Sequence, residues 1–209
     1  MKRIFLTLLF SLSSLFIFAQ SFEGDIVYQN VVKSKLPTVN DQQLQAMMGN
    51  TSNYYISGSD YKSETNGTLI LWQMYISGDH KLYTKLSNSE TILWNDATVN
   101  PDSVISSEMH PGVEDVLGYK CDELVLNCKS GVQKFYFSAK LPLDSKLYAN
   151  HAYGNWYAYL SKTNAVPLKM IIDNAQLTMI SIATEVKPMH LDKTFFKLPT
   201  GVKTAKSPY

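Results

Sequence analysis

The side chains best suited to acid–base or metal chemistry are scattered through this sequence. The four histidines, His80, His110, His151 and His190, lie in separate segments, and none belongs to an H-x-x-H or H-E-x-x-H motif. A metal site built on paired histidines has no starting point in this pattern. We therefore expect each histidine to lie at a turn or on the surface, and we assign no catalytic residue, metal ligand or cofactor site.

Nucleophile and carboxylate motifs are equally sparse. The sequence contains neither a G-x-S-x-G nucleophile elbow nor a Gly-rich phosphate loop. Asp122 and Glu123 are neighbours, and on a strand neighbouring side chains point to opposite faces, so they are poorly placed to share acid–base work. The sequence predicts a protein that is not an enzyme, and a hydrolase stays a third alternative.

The two cysteines, Cys121 and Cys128, are seven residues apart. On a single strand their Cα atoms would be about 23 Å apart, at ~3.3 Å per residue, which is too far for a disulfide. The C-x6-C spacing is also unlike that of zinc ligands. We expect two buried free thiols; an intramolecular disulfide would require a loop where we predict a strand.

The N-terminal segment has the pattern of a secretory signal peptide. Lys2 and Arg3 precede an apolar stretch from Ile4 to Phe18, and Ala19 follows. The stretch is shorter than the ~20 apolar residues that span a bilayer, although an uncleaved anchor is the alternative. We predict a signal peptide at residues 1–19, cleavage after Ala19 or else Gln20, and a periplasmic or secreted protein without a lipobox cysteine.

Charge excludes several classes of partner. Removal of the signal peptide takes away two of the 19 basic residues and no acidic one, which leaves a net charge near −1. Arg3 is the only arginine, so residues 20–209 lack a guanidinium for bidentate phosphate recognition. We expect no nucleic acid partner. The length of residues 20–209 suits one domain, and we expect a monomer.

Local patterns predict the elements of the first half. Apolar residues alternate from Phe22 to Val31, as in a strand with one solvated face. Asn40 begins a short helix in which Leu44, Met47 and Met48 form a stripe; Gln43 completes a capping box and Gly49 ends the helix. The stripe suits either core packing or a pliable lid over a ligand.

Hairpin patterns follow this helix. Asn66-Gly67 predicts a two-residue type I′ turn. The segment 68–76 is apolar on both faces, so both faces must be covered. One face of this predicted strand carries Ile70, Trp72, Met74 and Ile76.

The second half adds more strands after a long polar connection, 95–112. Strands are predicted at 119–128, 132–138, 156–160, 166–173 and 175–186, followed by a helical turn from Asp192. The tyrosines of 148–159 suit either half-buried strand positions or the mouth of a binding site. Without α/β alternation, the chain is predicted to be mainly β: a single curved antiparallel sheet with one or two short helices.

Four motifs carry a resemblance to a known group of families. They are G-Y-K-C at 118–121, G-V-Q-K-F-Y-F at 131–137, V-P-L-K-M at 166–170 and F-K-L-P-T-G at 196–201. With F-E-G-D-I-V-Y at 22–28, they make the chain similar to exported GLPGLI-type families from Gram-negative envelopes, which resemble the lipoprotein carriers LolA and LolB. The resemblance implies a half-barrel whose concave apolar face is partly filled by short helices and, in the carriers, takes acyl chains.

On that resemblance, residues 42–48 would be the plug of the cavity and 68–76 its floor. The predicted ligand-binding residues are Leu44, Met47, Met48, Ile70, Trp72 and Met74. The carriers' lid-latching arginine has no counterpart, so lipoprotein trafficking is not implied. We predict a non-catalytic envelope protein that binds a hydrophobic or lipid-like ligand. The alternative is an interaction module with a self-filled cavity, which binds an envelope protein partner through its convex sheet or the 95–112 loop.

Overall fold

The fold is a single large sheet with a few short helices. The structure is a computed structural model that describes residues 21–208; the predicted signal peptide lies outside the described residues. The strands are β1 (Gly24–Ser34), β2 (Thr51–Ser57), β3 (Asp60–Thr65), β4 (Ile70–Ile76), β5 (Lys81–Leu86), β6 (Ile92–Asp96), β7 (Val104–Val116), β8 (Tyr119–Cys128), β9 (Gly131–Pro142), β10 (Ala165–Asn174), β11 (Leu177–Pro188) and β12 (Thr204–Lys206). The helices are α1 (Asp41–Met48) and α2 (Trp156–Thr163), with 3₁₀ turns at Ser145–Tyr148, Tyr153–Asn155 and Lys193–Phe196.

All twelve described strands belong to one open, curved sheet in the order β12-β6-β5-β4-β3-β2-β1-β11-β10-β9-β8-β7. Neighbouring strands are antiparallel except β12 and β6, which are parallel. The late strand β11 pairs with β1 on one side and with β10 on the other, and so joins the N- and C-terminal halves of the sheet. The predicted fold class is confirmed: mainly β, one curved sheet and two short helices.

The concave face of the sheet is filled by residues 145–163, which we call the aromatic plug. Tyr159 of α2 is fully buried and stacks on Phe135 of β9 at 4.4 Å between ring centroids. Trp156 packs against Tyr54 of β2 at 6.2 Å. The expectation that residues 42–48 form the plug is therefore wrong, because larger rings from a later segment occupy this face.

The predicted strand at 156–160 is also wrong, since these residues form α2. W-Y-A-Y-L is a short aromatic segment of the kind that favours a strand, but Trp156, Tyr159 and Leu160 also share one face of a helix. Asn155 and Asn164 adopt left-handed conformations at the two ends and confine the helix to eight residues.

The convex side of β4 has a smaller core of its own. Met74 is buried there with Leu191 and Phe196, and Trp72 packs against the same group. Asp192 caps the 3₁₀ turn Lys193–Phe196 by accepting a hydrogen bond from the backbone N–H of Thr194 at 2.7 Å. Both faces of β4 are therefore covered, as the two-sided apolar pattern predicted.

Two predicted loops differ from the observed structure. Asn66-Gly67 is not a type I′ turn, because neither residue has a positive φ angle of the kind that turn requires. Leu117 and Gly118 do have such angles, at 53° and 77°, and they join β7 to β8. The predicted connection 95–112 is correct only from Ala97 to Ser103, because β6 ends at Asp96 and β7 begins at Val104. This edge strand has few buried residues and therefore lacks the alternation that identifies a strand.

Both cysteines lie on β8 as buried free thiols, as predicted. The Cys128 thiol lies beside the amide of Asn155, whose Nδ2 donates to Sγ at 3.3 Å. Burial raises the pKa of Cys128 to about 11, with a smaller contribution from the charge of Asp102. At neutral pH this thiol is therefore almost entirely protonated and unreactive.

Candidate functional site

A cavity of about 150 Å³ remains at the end of the concave face beside α1. We call it the Met48 recess. Its apolar lining residues are Tyr28, Met48, Tyr54, Ile70, Met170 and Met179. Its polar lining residues are Asn30, Ser52, Ser63, Thr65, Gln73 and Ser181. Thioethers, hydroxyls and amides therefore share one partly enclosed space, and none of these side chains carries a charge at neutral pH.

Strand register gathers the recess from distant parts of the sequence. Asn30 of β1 is paired with Ser181 of β11, and Ser63 of β3 is paired with Gln73 of β4. Tyr28 and Asn30 are two residues apart on β1, so both point to the concave face. The recess therefore extends across the same face that holds the aromatic plug.

The most unusual group in the recess is the amide of Asn30. This residue is only 8% exposed. Its Nδ2 donates to the Ser52 hydroxyl at 3.2 Å, and its backbone N–H donates to the carbonyl of Asn50 at 2.8 Å. Its Oδ1 is buried without a hydrogen-bond partner. A buried acceptor in this state costs on the order of 1–3 kcal/mol, so the fold keeps it at the expense of stability.

Several other donors in the recess are already engaged. The Tyr28 hydroxyl donates to the carbonyl of Pro167 at 2.6 Å. The Thr65 hydroxyl donates to the carbonyl of Ile70 at 2.8 Å, and the Gln73 amide donates to the Thr84 hydroxyl at 3.2 Å. These bonds fix the walls of the recess, and among its lining residues Oδ1 of Asn30 is the buried side-chain atom that lacks a partner.

Helix α1 is held at the recess by its own polar residues. Asn40 Oδ1 accepts from the N–H of Gln43 at 2.8 Å, and the Gln43 side chain accepts from the N–H of Asn40 at 3.1 Å, which confirms the predicted capping box. Beyond the last residue that β1 pairs with β2, Gln45 Oε1 accepts from the N–H of Val32 at 2.9 Å. A side chain of α1 thus replaces β2 as the hydrogen-bond partner of β1, and this contact places Met48 at the recess.

The Asn66-Gly67 dipeptide anchors the other side of α1. Asn66 Oδ1 accepts from the N–H groups of Asn50 and Thr51 at 2.9 and 3.1 Å. A Cβ atom at Gly67 would lie 2.5 Å from the carbonyl oxygen of Met47, so a larger residue cannot fit without a shift of α1. These two residues, predicted as a hairpin turn, instead form the surface on which the C-terminal end of α1 rests.

The six predicted ligand-binding residues are divided among different places. Met48 and Ile70 line the recess. Leu44 is buried and Met47 is half-buried on α1, and neither lines the recess. Trp72 and Met74 lie on the convex face.

A strand bulge explains why Ile70 separates from Trp72 and Met74. Strict alternation would place the three on one face. The register of β4 against β5 shifts between Ile70 and Trp72, which turns Ile70 to the concave side while Trp72 and Met74 stay convex. The expectation that 68–76 forms a single cavity floor is therefore wrong, because this strand serves two separate cores.

Sequence reasoning missed most of the recess. Asn30, Ser181, Met170 and Met179 were not identified, because their proximity depends on pairing between β1 and β11 and between β10 and β11. One local signal was available: Asn30 continues the face of Ile26 and Tyr28, where an apolar residue is expected. A polar side chain at a predicted core position is a reason to look for its partner.

His151 is the histidine that contradicts the surface prediction. It is 1% exposed within the aromatic plug, and its Nε2 is 2.7 Å from the Tyr61 hydroxyl. Its ring packs on Tyr75 at 4.2 Å between centroids. Burial lowers the pKa of His151 to about 4, so the ring is neutral at pH 7. The position suits a structural residue rather than a proton donor for a substrate.

A polar network lies on the other face of β8 and β9. Glu123 accepts from the Tyr136 hydroxyl at 2.6 Å, and its second oxygen is 2.8 Å from Nδ1 of His110. Burial alone would raise the pKa of Glu123, but these bonds and the charge of Lys134 outweigh it and hold the pKa below its usual value. The carboxylate is thus saturated by its own neighbours, as in a structural ion cluster.

The surface also has depressions larger than the recess. One of about 510 Å³ lies beside Phe22, Lys140 and His190, and it is more open to solvent than the recess. Within residues 21–208, no group of three or more His, Cys, Asp or Glu side chains is arranged to hold a metal ion. Enclosure and the orphaned Asn30 acceptor favour the Met48 recess as the candidate site.

Comparisons with known proteins identify no family for this chain. No family model and no curated protein matches it. Among solved structures, it is similar to an uncharacterized conserved protein from Thermus thermophilus, with 9% identity and a TM-score of 0.45 over 87% of this chain and 90% of that one. In the described part of the chain, the helices are all too short or too polar to cross a bilayer.

Proposed function

We propose that this chain is an exported, non-catalytic envelope protein that binds a small hydrophobic or lipid-like ligand in the Met48 recess. The observation that carries the proposal is the combination of three methionines, Met48, Met170 and Met179, around one partly enclosed cavity. Methionine side chains adapt to ligands of irregular shape. A cavity inside a packed core costs stability, so its retention favours a binding role.

The volume limits the ligand. About 150 Å³ is well below the ~300–1,000 Å³ of pockets for drug-sized ligands. The recess therefore fits one short chain or a benzene-sized group, and a two-chain phospholipid is too large for it. Beside the recess, the aromatic plug packs against β2 and β9 on the concave face.

Export is part of the proposal, and the segment 1–19 supports it. The full chain is expressed in a Gram-negative host, and its N-terminus is sequenced from the envelope and extracellular fractions. A mature N-terminus at Gln20 or Ser21 in those fractions is the expected result. An intact N-terminus in the cytosol would contradict it.

Ligand binding is tested on the same purified protein by mass spectrometry of extracted small molecules and single-chain lipids. The matched variants are Met48→Lys, which puts a charge at the recess, and Met189→Lys, which puts one at an exposed site. We expect a co-purified apolar compound with the wild type and Met189→Lys and none with Met48→Lys. A compound retained equally by all three proteins is not held in the recess.

A second candidate function is an interaction module. It is favoured by the aromatic plug, which fills the concave face with the protein's own side chains, and by exposed apolar residues on the edge strand β7. Ile105 is 75% exposed and Val113 is 48% exposed. This function requires an envelope protein that binds the chain in stoichiometric amounts, and the Ile105→Glu variant should no longer bind it. Capture that is unchanged in this variant would reject the edge strand as the binding surface.

A further inference from the structure

We propose that the occupant of the Met48 recess is a neutral molecule with a hydroxyl group, and that this hydroxyl donates a hydrogen bond to Oδ1 of Asn30. This inference rests on the proposed binding function and specifies its ligand class. The ligand is an aliphatic alcohol, or the hydroxyl-bearing end of a single hydrocarbon chain. Its carbon chain lies among the methionines and its oxygen meets the Asn30 amide.

The orientation of Asn30 is the first step. The Ser52 hydroxyl holds the amide nitrogen, and the pairing of β1 with β2 and β11 holds the backbone. The side chain therefore has little freedom to turn its oxygen toward another donor. Its Oδ1 stays buried without a partner at a residue that lines the cavity. A buried amide oxygen without a partner accepts a hydrogen bond from any donor that enters.

Charge is the second step. Among the described lining residues there is no lysine, arginine or histidine, so a carboxylate in the recess would have no counterion. It would also face the partial negative charge of Asn30 Oδ1. Burial of an unpaired charge is strongly unfavourable. A fatty acid in its ionised form is therefore a poor occupant, whereas an uncharged hydroxyl meets no such penalty.

Hydrogen-bond capacity is the third step. The Tyr28 and Thr65 hydroxyls already donate to backbone carbonyls. Ser52 and Ser181 lie on the strands that flank Asn30. A hydroxyl can donate one hydrogen bond and accept others, so it can donate to Asn30 and accept from a neighbouring serine. An ether of the same size lacks the donor and would leave Asn30 unsatisfied.

The experiment compares three probes of similar size: hexan-1-ol, its isomer 1-methoxypentane, and hexanoate at pH 7. The alcohol and the ether each have about seven non-hydrogen atoms, close to the benzene-sized molecule that a cavity of ~150 Å³ holds. The full chain is labelled at its methionine methyl groups and titrated by NMR. The signals of Met48, Met170 and Met179 report the recess, and Met74 on the convex face is an internal control.

We expect hexan-1-ol to shift the three recess signals and not Met74, and to bind about tenfold more tightly than 1-methoxypentane, a difference equivalent to ~1.4 kcal/mol. Hexanoate should bind more weakly than the alcohol. In Asn30→Leu the preference for alcohol over ether should disappear. Asn127→Leu is the matched control, because Asn127 also donates to a serine hydroxyl, Ser106, but at an exposed site. It should keep the preference.

The outcomes separate this inference from the proposed function. If alcohol and ether bind the wild type equally, or if Asn30→Leu keeps the preference, the hydroxyl inference is wrong while the recess remains a binding site. If neither neutral probe shifts the recess signals, the recess holds water only, and both proposals fail. The comparison of probes on the wild type stands without the variants, so a failure of Asn30→Leu to fold leaves the test decisive.

Discussion

The two ends of one concave face are built from different kinds of side chain. At one end, the aromatic plug fills the concave face with large rings. Tyr148, Tyr159 and His151 are completely or almost completely buried there. The Met48 recess is lined by three methionines and six short or amide-bearing polar residues, with two tyrosines and one isoleucine, and keeps a cavity of about 150 Å³. The same sheet therefore supports a packed core at one end and an adaptable space at the other.

This difference in side chains indicates that the plug mainly determines stability and the recess mainly determines ligand binding. Rings in fixed contacts give the plug its packing energy, while flexible thioethers and short polar groups leave the recess able to change its contents. Substitutions in the plug should mainly change the free energy of unfolding. Substitutions in the recess should mainly change ligand affinity. The predictions below test this division, beginning with the largest expected effect.

Tyr159→Ala should lower the free energy of unfolding by about 3–5 kcal/mol, because it removes a fully buried ring that stacks on Phe135. Urea denaturation measures the loss. Tyr157→Ala on the same helix is the control, since Tyr157 is 37% exposed, and its effect should stay within about 0.5 kcal/mol. Similar losses in both variants would show that the plug is not the packed region.

Acid should destabilise the plug through His151. The pKa of this histidine is about 4 in the folded protein, below its ordinary value of 6.5, so the unfolded chain binds a proton first as pH falls. The resulting stability is complete above pH 6.5 and declines by about 3 kcal/mol toward pH 4.

The measurement compares urea midpoints of wild type and His151→Phe between pH 7 and 5. The urea midpoint of the wild type minus that of His151→Phe should decrease as pH falls, because only the wild type loses stability through protonation of His151. His190→Gln changes a side chain that is 87% exposed and should follow the wild type. A constant difference between wild type and His151→Phe would contradict a buried neutral imidazole.

Gly67→Ala should displace α1 and disturb the recess. Its new Cβ would lie 2.5 Å from the Met47 carbonyl oxygen, so we expect a loss of ~1–3 kcal/mol in stability and altered methyl signals of Met48. Gly78→Ala is the matched control, because a Cβ there meets no atom within 4 Å. If the two variants behave alike, the end of α1 does not rest on Gly67.

Trp72→Ala should have the smallest effect on ligand binding. Trp72 packs against the convex core of Met74, Leu191 and Phe196, so the affinity of the recess for hexan-1-ol should change by no more than about twofold, as for independent sites. The same methionine NMR titration measures it, with Met48→Lys as the variant that abolishes binding. A large loss in Trp72→Ala would mean that the two faces of β4 are coupled.

Local patterns in the sequence were sufficient for elements that depend on neighbouring residues. The capping box of Asn40 and Gln43 and the two-faced apolar pattern of β4 are of this kind. Features set by distant contacts were missed. The bulge after Ile70 and the docking of α1 on Asn66-Gly67 depend on how separate strands meet, and no local pattern encodes them.

The candidate site shows the same limit. Met48 was identified because it belongs to a helical stripe, whereas Asn30 was missed because a single polar residue on a strand resembles a solvent-facing position. The pairing of Asn30 with Ser181 places it inside the molecule. Edge strand β7 was interpreted as a loop for a related reason: an edge strand with few buried residues lacks the alternation on which strand prediction depends.

The buried thiol of Cys128 can report local opening of the core. Alkylating reagents attack thiolates, and a thiol with a pKa of about 11 offers them almost none while the core is closed. Each transient separation of β8 from the plug would return the sulfur to water and make it reactive. The rate at which iodoacetamide alkylates Cys128 therefore reports how often the interior opens, without an engineered cysteine.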